Sequence, residues 1–301
     1  MQRTHANSLG QAELTLDATE AANPEWAPWL RLLRRARAEC AAGWAIDLGV
    51  PAGRTPDAPL LHQAVIAVDE ARAREWVAEL FTAAAAETDE ARAFGDPGRY
   101  AARALELLES AIALDAARLE GMSAALGADP ARVAAVVQLA AMPILMTCRR
   151  RAAAELPRSW TNGYCAMCGA WPAFAEVRGL ERERRARCGR CAYEWRFDVL
   201  RCPFCGEREH AQLASLVIEG DETRRIDTCK TCGGYLKSVA TLMAVPDDRV
   251  AVRDAETVEL DLVAADRGLT RPAERAFPML LEVVRRDGRE RLDDGRTWFL
   301  A

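Results

Sequence analysis

The strongest constraint on this chain is a pair of cysteines with a two-residue spacer, repeated four times: Cys165-Ala-Met-Cys168, Cys188-Gly-Arg-Cys191, Cys202-Pro-Phe-Cys205 and Cys229-Lys-Thr-Cys232. Such a spacer lets both sulfurs of a tight turn face one metal ion, and two turns complete a tetrahedral four-sulfur site. Four turns therefore predict two metal ions. Gly169, Gly206 and Gly233 directly follow three of the pairs. A positive φ there lets the backbone curl and aim its N–H groups at the sulfurs. Nineteen residues separate the first two pairs, ten the middle two and twenty-three the last two, which reads as one ribbon unit duplicated. Sequential pairing is simplest: Cys165, Cys168, Cys188 and Cys191 at one metal, Cys202, Cys205, Cys229 and Cys232 at the other. A cross-braced arrangement, first with third and second with fourth, stays open at this level, because spacing does not decide which cysteines join.

Ten cysteines in a secreted protein would suggest disulfides. Eight of them lie in these pairs, and the opening MQRTHANSLGQAEL has no apolar run of the signal-peptide kind, so metal ligation is the expectation. Redox pairs of the thioredoxin type sit where a strand enters a helix, and four in one chain would be unusual. A four-sulfur site accepts zinc, which would be structural, and mononuclear iron, which would be redox-capable. Cys40 and Cys148 stand alone in helical patterns and read as small core residues.

The first half is rich in alanine and poor in β-branched runs, which favours helix. A patternless tail is expected over 1–22, a helix from Asn23-Pro24 to a break at Gly49–Gly53, and a long helix from Leu60 to Glu87. Another should run from the Gly95-Asp96-Pro97-Gly98 break to Leu119, and an apolar one from the cap at Asp129-Pro130 through Cys148. Together these predict a helical bundle. The most apolar segment, Ala134 to Thr147, is too short for a bilayer and contains Pro143, so a soluble, cytoplasmic chain without membrane insertion is expected. Beyond Pro157 β-type runs alternate with the cysteine turns, at 173–177, 192–200, 212–218, 223–226 and 235–242. A helical pattern returns over 258–269, and residues 281–301 are charged; Trp298 and Phe299 could dock on the surface, but a frayed tail is the preferred reading.

Little else carries chemistry. His210 lies near the third turn but is not needed as a ligand, and His5 and His62 belong to no motif. There is no phosphate-binding loop, no GxSxG and no recognisable acid/base pair, so no catalytic residue and no cofactor site beyond the metals is expected. The arginines at 182, 184, 185, 187 and 190 could contact nucleic acid. Glu181 and Glu183 interrupt them, and the formal net charge is -5, so a solvated hairpin is the preferred reading and nucleic acid is not an expected partner.

The residues resemble a known family, the formate dehydrogenase accessory proteins FdhE. The likeness rests on Tyr164-Cys165-x-x-Cys168-Gly169, Cys188-x-x-Cys191 followed by Glu194-Trp195, Arg201-Cys202-x-x-Cys205, and Cys229-x-x-Cys232-Gly233-x-Tyr235-Leu236-Lys237. It continues through Asp261-Leu262 and Gly268–Arg271, covering about Trp160 to Pro272. Ala166 stands where the family has proline, Arg187 where it has an apolar or neutral residue, and the end beyond Pro278 is longer. The resemblance implies a helical N-terminal domain followed by two rubredoxin-like sites holding iron. It further implies a cytoplasmic, non-enzymatic protein that binds the catalytic subunit of respiratory formate dehydrogenase and is needed for its activity. Pairing with a second copy of the chain is compatible with this reading.

The expected fold is thus multidomain α+β: a helical domain over 1–158, a first four-cysteine rubredoxin-like or zinc-ribbon-like domain over 159–200, a second over 201–272, and a tail over 273–301. A nucleic-acid-binding zinc ribbon and a rubredoxin-like electron carrier are the alternatives.

Overall fold

The computed structural model describes residues 15–87, 94, 96–286 and 296–300. The chain divides into two units, one formed by 20–156 with 278–301 and the other by 1–19 with 157–277.

In the first of these units, apolar periodicity and caps build the helices. The helical stretch at 15–22 (α1), where a patternless tail was expected, is divided between the two units after Thr19; this unit continues with α2 (Ala27–Ala42), α3 (Glu70–Ala86), α4 (Pro97–Ala101), α5 (Ala104–Ala113), α6 (Ala116–Leu126) and α7 (Pro130–Arg151). Asp69, Asp115 and Asp129 each accept the backbone N–H three residues on, at 3.1, 3.0 and 2.9 Å, which satisfies an N–H orphaned at a helix start. The helix expected to reach Leu119 is broken at Leu114, which takes a left-handed conformation with φ 56°, and Asp115 caps α6. Pro143 does not end α7, which runs for 22 residues from Pro130 to Arg151. By length and composition α7 could cross a membrane, yet 72% of its most apolar window is buried within the protein. Trp76 of α3 ties to it by donating Nε1–H to the Ala140 carbonyl at 3.0 Å.

A bundle alone does not describe this unit. It contains a four-stranded sheet ordered β10-β1-β2-β9, with β1 Ile46–Pro51, β2 Ala64–Val68, β9 Leu281–Arg285 and β10 Arg296–Phe299. The segment expected to open the long helix at Leu60 is β2, and helix begins only after the Asp69 cap. A short, wholly apolar run such as Ala-Val-Ile-Ala-Val fits a buried strand as well as a buried helix. β9 pairs with it in parallel and β10 with β1 antiparallel, so the described part of 281–301 is sheet, where a frayed tail was expected. Arg289, Arg291, Asp293 and Asp294 lie outside the described residues. Gly49 faces Trp298 in register. A Cβ at Gly49 would stand 2.7 Å from the indole, so only glycine lets the ring lie on that strand.

The other unit is built on one six-stranded sheet ordered β5-β4-β3-β8-β7-β6. Its strands are β3 Phe174–Arg178, β4 Glu183–Arg187, β5 Glu194–Arg196, β6 Leu213–Ile218, β7 Asp221–Cys229 and β8 Tyr235–Thr241. β3-β4-β5 and β6-β7-β8 are two antiparallel three-stranded sets. Parallel pairing of β3 with β8, Phe174 opposite Lys237, joins them. The two cysteine segments, expected as separate ribbon domains split near residue 200, therefore share one sheet. Helices α8 (Val250–Glu256) and α9 (Val258–Asp266) follow, and Leu260 and Ala264 of α9 pack with Ile226 and Tyr235.

Candidate metal centres

Each half of the six-stranded sheet has the same plan. One cysteine turn precedes a hairpin, and a second turn leads from that hairpin into a third strand. The turns share one hydrogen-bond pattern. The N–H of the first cysteine donates to the carbonyl five residues on, in Cys165 to Ala170 (2.8 Å), Cys188 to Tyr193 (2.9 Å), Cys202 to Glu207 (2.9 Å) and Cys229 to Gly234 (2.9 Å). The residue after the second cysteine is left-handed in all four: Gly169 at 69°, Ala192 at 61°, Gly206 at 78° and Gly233 at 67°. Ala192 adopts without glycine the conformation glycine makes cheap elsewhere.

These turns bring the sulfurs together in sequential order. Cys165, Cys168, Cys188 and Cys191 form one group, and Cys202, Cys205, Cys229 and Cys232 the other, with all sulfurs of a group within 4.8 Å of one another. Sulfur–sulfur distances are 3.5 Å for Cys165–Cys191 and Cys168–Cys188, 3.7 Å for Cys202–Cys232 and 3.6 Å for Cys205–Cys229. A tetrahedron with metal–sulfur bonds of about 2.3 Å has edges of about 3.8 Å. The donor set thus fits a divalent four-thiolate site, with zinc and iron both chemically acceptable. In the first group burial pushes the Cys165 and Cys191 thiols well up, while hydrogen bonds from the other three sulfurs hold Cys188 well below the usual thiol range. Metal binding there must displace thiol protons.

The two groups are fastened to each other. Gly163, just before the first turn, touches the third: a Cβ on it would stand 1.7 Å from the Pro203 carbonyl oxygen. Trp171 packs edge-on against Phe204 of the third turn at 5.3 Å. Gly234 fits against Phe204 and the Cys232 sulfur, with its missing Cβ 3.0 Å from that sulfur.

Charged residues support the turns from within. Arg187, next to Cys188, is 1% exposed, and its Nη1 lies 3.1 Å from the fully buried Glu176 and 2.9 Å from Glu194. Arg184 is buried and bonds the carbonyls of Asp198 and Val199 and the carboxylate of Asp227, the last at 3.0 Å. Asp227 also accepts from Ser215 at 2.8 Å and Ser238 at 2.5 Å. Of the arginine run expected as a solvated hairpin, Arg184, Arg185 and Arg187 lie on strand β4, with Arg184 and Arg187 buried on its opposite faces, while Arg182 is exposed. For Arg184 the signal in the sequence was alternation with Ala186, masked by charges that read as solvent-facing; Arg187 gave none. Glu176 and Asp227 gave no sequence signal.

The motif residues after the fourth turn meet in a polar cluster of their own. Lys237 is fully buried, with Nζ 2.7 Å from both the Asp254 and the Asp261 carboxylates. Tyr235 donates its hydroxyl to Asp261 at 2.8 Å, and Arg271 reaches the same carboxylate at 3.2 Å. Trp195 donates to the Asn162 carbonyl at 3.1 Å, closing the loop before the first turn. His210 lies in an exposed 3₁₀ turn, and His5 is outside the described residues. Cys40 and Cys148 are buried in the helical unit, their thiols pushed up to about 12 by desolvation.

Fold and site together define a two-unit protein of mixed helix and sheet in which one sheet carries two four-cysteine clusters of the same plan. No family model matches the chain. A protein FdhE homolog of Aquifex aeolicus is 31% identical over 141 residues, 45% of this chain and 48% of that one. Another, of Stutzerimonas stutzeri, is 35% identical over 113 residues, 36% of each. The chain thus spans between about a third and a half of the length of the curated relatives it matches. The crystal structure of the FdhE protein from Pseudomonas aeruginosa superposes with a TM-score of 0.53 at 21% identity, covering 88% of this chain and 94% of that one. The chain is related to the FdhE family.

Proposed function

We propose that this protein is a non-catalytic accessory factor that holds two metal ions and binds the catalytic subunit of a respiratory formate dehydrogenase in the cytoplasm, supporting that enzyme's maturation or activation. The observation that carries the reading is the convergence of the residues through which the sequence resembles FdhE. Tyr235, Lys237, Asp261 and Arg271, spread over 37 positions of chain, meet in one polar cluster. That cluster locks α9 to the sheet, and the eight cysteines would hold the turns rigid. Lys237 and its carboxylates are already paired with one another, so the cluster acts as a brace rather than an acid/base site. With both turns of each cluster fixed, the loops between them present a surface of set shape to a client.

The thiolates of Cys165, Cys168, Cys188 and Cys191 would hold one ion and those of Cys202, Cys205, Cys229 and Cys232 the other. Zinc would supply structure alone, and iron, the metal the family resemblance favours, a one-electron couple as well. Against a nucleic-acid role, the two buried arginines of the basic run spend their charge on Glu176, Glu194 and Asp227.

The test is capture and complementation. Tagged protein should retain the catalytic subunit of formate dehydrogenase in a pull-down. Deleting the gene should lower formate-dependent dye reduction, and the wild-type chain should restore it better than one carrying Cys202→Ser and Cys205→Ser. Full activity in the deletion strain, with no subunit captured, would overturn the assignment.

A further inference from the structure

The two clusters share a plan but differ in access. All four cysteines of the first are 0% exposed. In the second, Cys202 and Cys229 are buried while Cys205 and Cys232 are exposed. The reason lies in what surrounds each. The first cluster's turns lie among buried neighbours, Ala166, Met167, Ala192 and Trp195. The second is roofed on one side by Phe204 and Gly234, but its fourth turn, with Lys230 and Thr231, is exposed. One side-chain hydrogen bond crosses between its two turns there, from the Thr231 hydroxyl to Glu207 at 2.7 Å.

We infer that the second cluster is a metal-exchange site open to a soft dithiol ligand, while the first is a permanent structural core. The inference rests on the reading that both clusters hold metal. A four-coordinate ion exchanges by accepting an incoming donor as an old one leaves. At the second site two thiolates of one dithiol can approach the ion along the Cys205–Cys232 edge and replace those two sulfurs, after which a second dithiol replaces Cys202 and Cys229 and the ion leaves as a bis-dithiolate complex. Each incoming thiol releases a proton, and each departing cysteine takes one up, so the metal keeps its oxidation state and no electron moves. At the first site no sulfur faces solvent, so exchange must wait for local unfolding of the sheet.

The experiment uses the full-length chain loaded with zinc and counted by elemental analysis. Dimercaptosuccinate is added in excess, and protein freed of small molecules is analysed for zinc over time. In parallel, native alkylation with iodoacetamide is mapped by peptide mass spectrometry. One ion should leave at least about tenfold faster than the other, and Cys205 and Cys232 should alkylate before the other six ligands. Thr231→Val, which removes the hydrogen bond between the turns, should speed the fast phase alone. Cys205→Ser should abolish the fast phase and leave one ion that departs at the slow rate. Loss of both ions at one rate, or first alkylation among Cys165, Cys168, Cys188 and Cys191, would overturn the inference. A starting count below two ions would instead overturn the two-metal reading beneath it.

Discussion

The buried Lys237 offers the sharpest test of how the cysteine-bearing unit is held together. Its ammonium contacts the Asp254 carbonyl at 2.9 Å and two carboxylates at 2.7 Å. Lys237→Met keeps the length of the buried stem, and volume-conserving swaps cost less than about 1.5 kcal/mol. What it removes is the cation. Most of the acceptors left behind have another recourse. The Asp254 carbonyl still accepts from Thr257 at 3.1 Å, Asp261 keeps Tyr235 and Arg271, and the Asp254 side chain is about a third exposed, so only its buried Oδ1 loses its partner outright. The loss should therefore fall below the 3–5 kcal/mol typical of a broken buried pair, at about 2 kcal/mol. Asp261→Leu is the harsher change. It strands an ammonium of zero exposure with one carboxylate and takes partners from Tyr235 and Arg271, so about 3–5 kcal/mol is expected. The double variant should cost clearly less than the sum, because the stranded charge is gone. Hydrogen exchange of β8 and α9 peptides on the metal-loaded chain, with and without urea, reads this locally and avoids assuming that two units unfold as one. Equal costs for the two single variants, or strict additivity, would refute the reasoning.

Three further outcomes follow from the same geometry. Ala192→Gly should stabilise the cysteine-bearing unit by up to about 1 kcal/mol by relieving the left-handed alanine after the second turn, measured as a shifted urea midpoint; no shift or a loss would mean that Ala192 packing outweighs its φ. Asp221, held down to about 2 by hydrogen bonds from Thr223 and Arg224, has a folded pKa below its unfolded value, so its contribution should be complete above about pH 4 and fade as pH falls toward 2, and Asp221→Asn should remove that acid-limb dependence from amide exchange in the β6–β7 hairpin. Strong chelation should remove exchange protection from 157–277, where binding of each structural ion supplies on the order of 10 kcal/mol, while the helical circular dichroism of the other unit persists; loss of both signals together would count against that division.

Much of the candidate site was legible in the sequence because its signals are local. Two-residue spacers, trailing glycines and the duplicated order of the turns marked the eight cysteines without any knowledge of the sheet, and Asp129-Pro130 marked the start of α7 by the chemistry of a helix cap. Other features depend on partners far along the chain. Val65 and Val68 were compatible with helix until β9, more than 200 residues later, supplied a parallel neighbour. Arg184 and Arg187 looked solvated because the carboxylates that bury them stand on other strands. Whether the two ribbons were separate was likewise beyond local pattern, since the β3–β8 pairing joins residues about sixty positions apart. Spacing determined which side chains could form a metal site. Only tertiary packing decided how the two sites share a sheet, and why one lies buried while the other leaves two cysteines exposed: exposure is a property of neighbours, and neighbours are set by the fold.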